Sequence, residues 1–423
     1  MKTDGHIPLT SFYLLERTEP SLPELGDLSG SILETLSGLG IATDKLRGKR
    51  IAVAVGSRGV ASLKETVATL CSWLKAQGAQ PFIFPAMGSH GGATAEGQRK
   101  ILQGYGVTEA AMGVEIRSSM ETVHIGTTPE GFNVFMDRNA WESDGVVPVN
   151  RIKPHTDFAG KIESGLLKMM TIGMGKLEGA REGHRHSWKY GFETTIRSVA
   201  GKVLASGKIL FGLAVVENEL HQIAVARAAL PEDLVGVEET ALQLARTLVP
   251  RIPFTAFHLL VVDEMGKNIS GTGMDSKVIG RGVDLPPGEA PTISMIYVRD
   301  LTPESAGNAV GMGFADVIHE RLYRKIDFQK TYLNARTSLN PAASLLPIHL
   351  PSDREALDLV LGHLGSPEPA EQRVVWIPNT LCLGRMAISA ALAREAAALE
   401  RWRLLEGAHA ADFDPAGDLK SLW

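Results

Sequence analysis

Apolar positions along this chain follow two patterns that succeed one another over most of its length. Short apolar runs bounded by glycine, proline or polar residues predict buried strands, and apolar residues at every third or fourth position predict helices. Their alternation predicts an α/β fold with mostly parallel sheets. The predicted strands are 51–55, 81–84, 114–116, 145–149, 208–216, 258–263, 292–298 and 374–377. The predicted helices are 62–77, 95–104, 192–205, 231–248, 303–310, 316–326 and 386–405.

A proline-rich stretch, LVPRIP at 248–253, follows one of the longer helical patterns. Proline cannot continue a helix, so we expect the chain to leave one domain here. The prediction is therefore two α/β domains, 1–250 and 251–423. The stretch from 406 onward predicts a loosely held tail, for which Trp423 is the candidate anchor.

Composition narrows the class of protein. The chain has 423 residues, of which 44% are hydrophobic, enough to bury a large core. Its net charge of −5, with both signs mixed, argues against nucleic acid or an anionic membrane as a partner. Two cysteines, Cys71 and Cys382, cannot form a disulfide framework. Neither a signal-peptide core nor an apolar run long enough for a membrane span is present, so we expect a cytoplasmic protein.

The segment 150–186 carries the strongest chemical signal. It contains three histidines, His155, His184 and His186, and it places Lys168 inside the apolar run LLKMMTIGMG. A buried cation is costly unless it is paired, neutralised or used in chemistry. The segment therefore indicates a cofactor or metal site. The structural alternative is a surface turn followed by a core helix whose lysine reaches out to solvent.

Two further loops follow predicted strands and are rich in glycine. His90 lies in GSHGGAT after the strand 81–84, with Thr94 as the expected N-cap of the next helix. Ser57 and Arg58 lie in GSRG after the strand 51–55. Ligands of parallel α/β proteins bind at the carboxyl ends of strands, where such loops lie. Taken singly, each loop is also compatible with a simple turn.

Together the three loops resemble the nickel-pincer lactate racemase family over roughly residues 45–285. In that family a pyridinium-3,5-bisthiocarboxylic acid mononucleotide is joined to a lysine and holds one nickel ion, to which a histidine is also bound. The resemblance places this lysine at Lys168, in a Ser-Gly-x-x-Lys run after Pro154-His155. The other cofactor contacts that it implies are Ser57, Gly165 and Gly173. The fallback positions for the tether are Lys161 and Lys176.

The same resemblance implies the remaining functional positions and partners. The catalytic bases fall at His90 and His155. The nickel ligand is His184, with His186 as its competitor. The substrate contacts are Arg58 and either Lys277 or Lys267. An active-site cleft between the two domains is implied, and the partners are a small 2-hydroxy acid and the proteins that make the cofactor. The cofactor is expected to be missing from protein produced in a host without that pathway.

The implied reaction is racemisation or epimerisation of a 2-hydroxy acid by proton-coupled hydride transfer. No side chain can accept a hydride, so an electrophilic cofactor has to. Two bases are needed, one for each orientation of the hydroxyl, and imidazole both takes and gives protons near neutral pH. Neutral imidazole is also a good ligand for nickel.

Two other classes remain open. A divalent-metal hydrolase could use His90, His155 and His184, although the chain has no HExxH motif. A non-catalytic homologue could hold a phosphorylated ligand in the glycine loops. The second alternative depends on Val55, which stands where the family often has an aspartate.

Overall fold

The computed structural model describes residues 6–18, 24–56, 60–156, 158–218, 220–249, 251–282, 285, 288–338 and 340–423. In these residues the strands are β1 Phe12–Arg17, β2 Arg50–Val55, β3 Gln80–Pro85, β4 Thr122–Thr127, β5 Asn133–Asp137, β6 Gly145–Arg151, β7 Gly212–Glu217, β8 Ile223–Ala229, β9 Ala256–Met265, β10 Thr292–Leu301, β11 Val317–His319, β12 Ile348–Leu350, β13 Val374–Ile377, β14 Arg385–Ser389 and β15 Trp402–Leu404.

The α-helices of the same residues are α1 Leu28–Ser37, α2 Leu63–Ala76, α3 Ala95–Gly104, α4 Glu109–Met112, α5 Arg138–Trp141, α6 Leu166–Lys168, α7 Lys176–Tyr190, α8 Phe192–Ala205, α9 Leu234–Leu248, α10 Ser276–Ile279, α11 Glu320–Lys325, α12 Phe328–Thr337, α13 Asp353–His363 and α14 Ala390–Ala396. A π-helical segment, Met169–Gly173, follows α6 directly. Within the described ranges, none of these helices combines the length and the apolar character that crossing a bilayer requires.

The chain divides into two compact units. The first, called here the five-stranded unit, comprises Leu22–His155 and Ala159–Val249, and the second, the eight-stranded unit, comprises Met1–Ser21, Thr156–Phe158 and Pro250–Trp423. Strand β1 pairs with β14 and β15, so it belongs to the sheet of the eight-stranded unit. The N-terminal strand is thus not part of the sheet formed by the strands that follow it in sequence.

The five-stranded unit is built on a sheet of order β3-β2-β6-β7-β8 in the described residues. Its first four strands are parallel, and β8 is antiparallel to β7. The stretch from Ile51 to Val55 in β2 has no exposed surface, as expected for a central parallel strand covered on both faces. A separate hairpin pairs β4 with β5.

The eight-stranded unit has the described strand order β12-β11-β10-β9-β13-β14-β1-β15. The run from β12 to β13 is parallel, whereas β14, β1 and β15 pair antiparallel. The predicted α/β class with mostly parallel sheets is therefore confirmed. Trp423 donates its indole N–H to Asp263 (2.6 Å) and packs edge-on against Trp376, so the expected anchor of the tail is present.

Several predicted elements are wrong. The predicted helix 386–405 is instead β14, α14 and β15, because β14 and β15 pair with β1, which lies at the other end of the sequence. The predicted helix 303–310 forms only one 3-10 turn, Pro303–Ser305. The predicted strand 114–116 makes a single bridge, from Ile116 to Ile83. Helix α7, which carries two of the candidate histidines, was not predicted as a helix.

Candidate functional site

His90 lies on an exposed loop held by buried neighbours. The loop follows β3 and precedes α3, where Thr94 caps the helix as predicted by accepting the Gly97 N–H (3.1 Å). Gln98, which has no exposed surface, donates its amide N–H to the backbone oxygens of Gly88 (2.9 Å) and His90 (3.3 Å). His90 is thus an exposed residue on a loop whose backbone is held by hydrogen bonds from buried Gln98.

Lys176 is the buried centre of that support. Its ammonium donates to the Pro85 oxygen and to Gln98 Oε1 (3.1 Å), and it forms an ion pair with Asp137 (3.1 Å). Both charged side chains are completely buried. Burial lowers the pKa of the Lys176 ammonium and raises the pKa of the Asp137 carboxyl, while their mutual attraction opposes both shifts. A completely buried, ion-paired amine is inaccessible to a cofactor, so the structure argues against Lys176 as a fallback tether.

Lys168 has the opposite surroundings. It ends α6, directly before the π-helical segment, and it is partly exposed although Leu166, Leu167, Met169 and Met170 around it are buried. Short π-helical turns inside helices are frequent at functional sites. The apolar residues on both sides of the lysine are therefore buried, while Lys168 itself keeps part of its surface accessible.

Two candidate glycines lie where a side chain would collide with neighbours. A Cβ on Gly173 would lie 2.5 Å from the Ala86 oxygen, just after β3. A Cβ on Gly165 would lie 2.3 Å from Glu238 Oε1, and the Gly165 oxygen accepts a hydrogen bond from the Asn150 side chain (2.8 Å). Both glycines thus have a packing reason that is independent of any cofactor contact.

His155 follows β6 on a loop that is closed by a buried carboxylate. Glu163, with a fully buried side chain, accepts the N–H groups of His155 and Gly160. Arg246 of α9 pairs with Glu163 (2.6 Å) and also donates to the Gly160 oxygen (2.7 Å). The position of the His155 backbone therefore depends on an arginine far along the chain.

Phe192 brings two of the predicted histidines together. Its ring centroid lies 6.3 Å from that of His155, with the rings near parallel, and 6.4 Å from that of His184, which meets it edge-on. His186 instead stacks on Phe132 at 4.2 Å. Residues two apart on a helix project about 200° from each other, so these histidines take opposite faces of α7. The structure brings His155 and His184 to one side chain and keeps His186 away from it.

The two lysines of the eight-stranded unit differ in their position on its sheet. Lys267 lies in the loop after the carboxyl end of β9, and its ammonium donates to the Gly271 oxygen and to Asn334 Oδ1 (3.0 Å). Lys277 lies on α10, whose N-cap is Asp275. The carboxyl ends of parallel strands are the usual ligand edge of such a sheet. Ser57 and Arg58 lie outside the described residues.

Sequence reasoning missed a charged cluster on the eight-stranded unit. His319, Asp353 and Asp418 group closely enough to bind a metal ion. However, His319 Nδ1 accepts the Arg321 N–H and Nε2 donates to Asp418 (2.8 Å), so neither nitrogen is open. Arg299 and Arg321 both form ion pairs with Asp353. Arg299, with the Tyr297 hydroxyl and the Leu419 N–H, holds the pKa of the Asp353 carboxyl below its usual value despite the opposing effect of burial. The carboxylates of the cluster are thus neutralised by the two arginines. Both arginines and Trp423 line a neighbouring cavity of about 320 Å³.

Comparison with known proteins decides the family of the motif-bearing segment. The family model described as the lactate racemase N-terminal domain matches residues 42–193. These residues are thus similar to the lactate racemase N-terminal domain. His90, His155, Lys168, His184 and His186 all lie within the matched range. Arg246, which supports the His155 loop from α9, lies beyond its end.

Solved structures extend the comparison to most of the chain. The lactate racemase apoprotein from Thermoanaerobacterium thermosaccharolyticum is similar with a TM-score of 0.53 and 15% sequence identity, covering 85% of this chain and 93% of that one. This likeness shows that the lactate racemase fold continues past the matched domain. A Thermotoga maritima protein gives a TM-score of 0.49 at 16% identity, covering 74% of this chain and 80% of that one. No curated protein matches the chain in sequence.

Proposed function

We propose that this protein is a racemase or epimerase of a 2-hydroxy acid, with Lys168 as the tether of a nickel-pincer nucleotide. One observation carries the proposal. In a segment similar to the lactate racemase N-terminal domain, Lys168 is partly exposed directly before an apolar π-helical segment, and His155 and His184 contact one aromatic ring. An ordinary core helix would not need this combination of a partly exposed amine and two imidazoles that contact one ring.

The donor set fits the group that the family implies. A partly exposed primary amine is the nucleophile that a thioamide tether requires. The imidazole of His184 is a suitable nickel donor. It lies on the face of α7 that contacts the ring of Phe192, the first residue of α8. Among the two competitors, His184 is favoured because His186 faces Phe132 and pairs with Glu182 (3.3 Å).

The protein residues divide the proton chemistry between them. When bound, the nickel-pincer group supplies the hydride-accepting centre that side chains lack. His90 and His155 each take the hydroxyl proton in one substrate orientation and return it in the other. The fixed loop backbones beneath both histidines keep the rings in place for this transfer. Arg58 and a lysine of the eight-stranded unit, with Lys267 favoured by its place after β9, bind the substrate carboxylate.

Intact-protein mass spectrometry with metal analysis tests the proposal. The protein should be produced in a host able to make the cofactor, and it should then carry a covalent adduct and nickel. Lys168→Ala should lose the adduct and remain folded, whereas the matched surface variant Lys161→Ala should keep it. Zinc without an adduct would instead indicate a metal hydrolase, and neither metal nor adduct would indicate a ligand-binding homologue.

Isotope tracing tests the hydride step separately. A substrate deuterated at Cα should keep its deuterium in the product of opposite configuration, because the hydride returns to the same carbon. Deuterium entering Cα from heavy water would show simple proton abstraction and overturn this mechanism.

A further inference from the structure

Helix α9 places a buried carboxyl directly beneath the start of the Lys168 segment. Glu238 is almost completely buried, and its Oε2 accepts the N–H of Leu167 (3.0 Å). The Leu166 N–H also interacts with this carboxyl. The first N–H groups of a helix have no partner inside the helix, so a carboxylate there fixes the first turn. Glu238 is thus a cap supplied by a distant helix.

The glycine of the Ser-Gly-x-x-Lys run belongs to the same arrangement. Any side chain on Gly165 would meet the Glu238 carboxyl, since a Cβ would lie 2.3 Å from Oε1 and 2.7 Å from Oε2. Absence of a side chain at Gly165 lets the carboxyl reach the two N–H groups behind it. The motif glycine and the α9 glutamate are therefore parts of one contact.

We propose that Glu238 is a positioning residue, which sets where the Lys168 amine emerges by holding the first turn of its segment. The inference rests on the proposed role of Lys168, and it adds a determinant outside residues 42–193. Lys168 lies at the far end of the short helix that Glu238 caps, so a shift of that turn moves the amine directly.

The protonation of Glu238 gives the proposal a pH-dependent readout that a purely packing role would not produce. Burial raises the pKa of its carboxyl to about 7, against the lowering effects of the Leu167 and Leu166 N–H groups and of Arg197. Its Oε1 has no hydrogen-bond partner among the described residues. Arg197 of α8 is the charged side chain that acts on this carboxyl, and it is itself ion-paired with Glu193 and Glu239. With a pKa of about 7, we expect this buried carboxyl to change charge near neutral pH.

Measurements on the cofactor-free protein test this directly. In Glu238→Ala, amide exchange at Leu166 and Leu167 should rise by about tenfold, as expected for loss of one hydrogen bond. The rate at which an amine-reactive reagent labels Lys168 should change with it, while exchange in the five-stranded sheet stays constant. Gly165→Ala should reproduce both effects, because its methyl group displaces the carboxyl. Glu232→Gln, an exposed glutamate before α9, is the matched control.

Glu238→Gln keeps an acceptor and removes the charge, which covers the case in which the alanine variant does not fold. Lys168 labelling, corrected for the reagent, should show an inflection near pH 7 in the original protein and none in Glu238→Gln. An inflection that persists in this variant, or unchanged exchange at Leu167 in Glu238→Ala, would overturn the proposal. Both readouts need no cofactor, so a missing Lys168 adduct would defeat the proposed function and leave this inference standing.

Discussion

Lys168 and Lys176 lie in one short segment and have opposite surroundings. Lys176 is completely buried and satisfied by Asp137, Gln98 and the Pro85 oxygen. Lys168 is partly exposed on a segment capped by Glu238. Asp137 forms an ion pair with Lys176, and Glu238 binds backbone N–H groups of the segment that carries Lys168. A lysine in an apolar run can therefore be either a buried structural cation or a partly exposed amine, and the fold decides between the two.

The largest effect should be on the reaction rate, from changes to the proposed catalytic residues that accompany Lys168. His90→Ala or His155→Ala should slow the reaction by on the order of 10²- to 10⁴-fold, because each histidine is a positioned proton-transfer group. Nickel content and thermal midpoint should stay near those of the original protein. Steady-state rates in both directions, measured on loaded enzyme, check this. Loss in one direction alone would contradict two bases acting in series.

Removing the buried cation should mainly affect stability. Lys176→Met leaves Asp137 buried without its counter-charge and should lower the free energy of unfolding by about 3 to 5 kcal/mol. Lys168→Met should change it by less than about 1 kcal/mol. Urea unfolding measures both. The double variant Lys176→Met with Asp137→Asn should recover part of the loss, and equal destabilisation by the two methionine variants would break the distinction.

The buried carboxyl of Glu238 should make the free energy of unfolding depend on pH. Glu238 has a folded-state pKa raised from 4.5 to about 7, so its contribution is fully present below about 4.5 and is lost as pH rises through 7. The shift corresponds to on the order of 3 kcal/mol. The difference in unfolding free energy between the original protein and Glu238→Gln, followed from pH 4.5 to 8, isolates this contribution. A flat difference would show that the carboxyl titrates normally.

The smallest effect concerns the second histidine of α7. His186→Ala should leave bound nickel unchanged and cost about 1 kcal/mol through loss of its stack on Phe132. His184→Ala should lose the metal and leave stability similar. Metal analysis of the two purified variants, prepared side by side, distinguishes them. Nickel loss in His186→Ala with retention in His184→Ala would exchange the two assignments.

The sequence by itself determined the local elements and the residues with chemical capacity. The runs at 51–55 and 81–84 are continuously apolar because parallel strands are covered on both faces, and such runs are visible without partners. Thr94 could be predicted as an N-cap because capping depends on neighbours in sequence. Glycine-rich sequence likewise predicts the loops around His90 and Lys168 without any knowledge of the fold.

Only the tertiary structure decided which of these residues are buried in packed contacts and which remain accessible. Glu238 lies 71 residues from Leu167, and Arg246 lies 83 residues from Glu163, so no local pattern reports either contact. Strands β14 and β15 have helical sequence periodicity, yet they pair with β1 because sheet pairing depends on distant partners. Burial works in the same way: Lys168 and Lys176 differ through what the fold packs around them, which a residue's own neighbours in sequence do not specify.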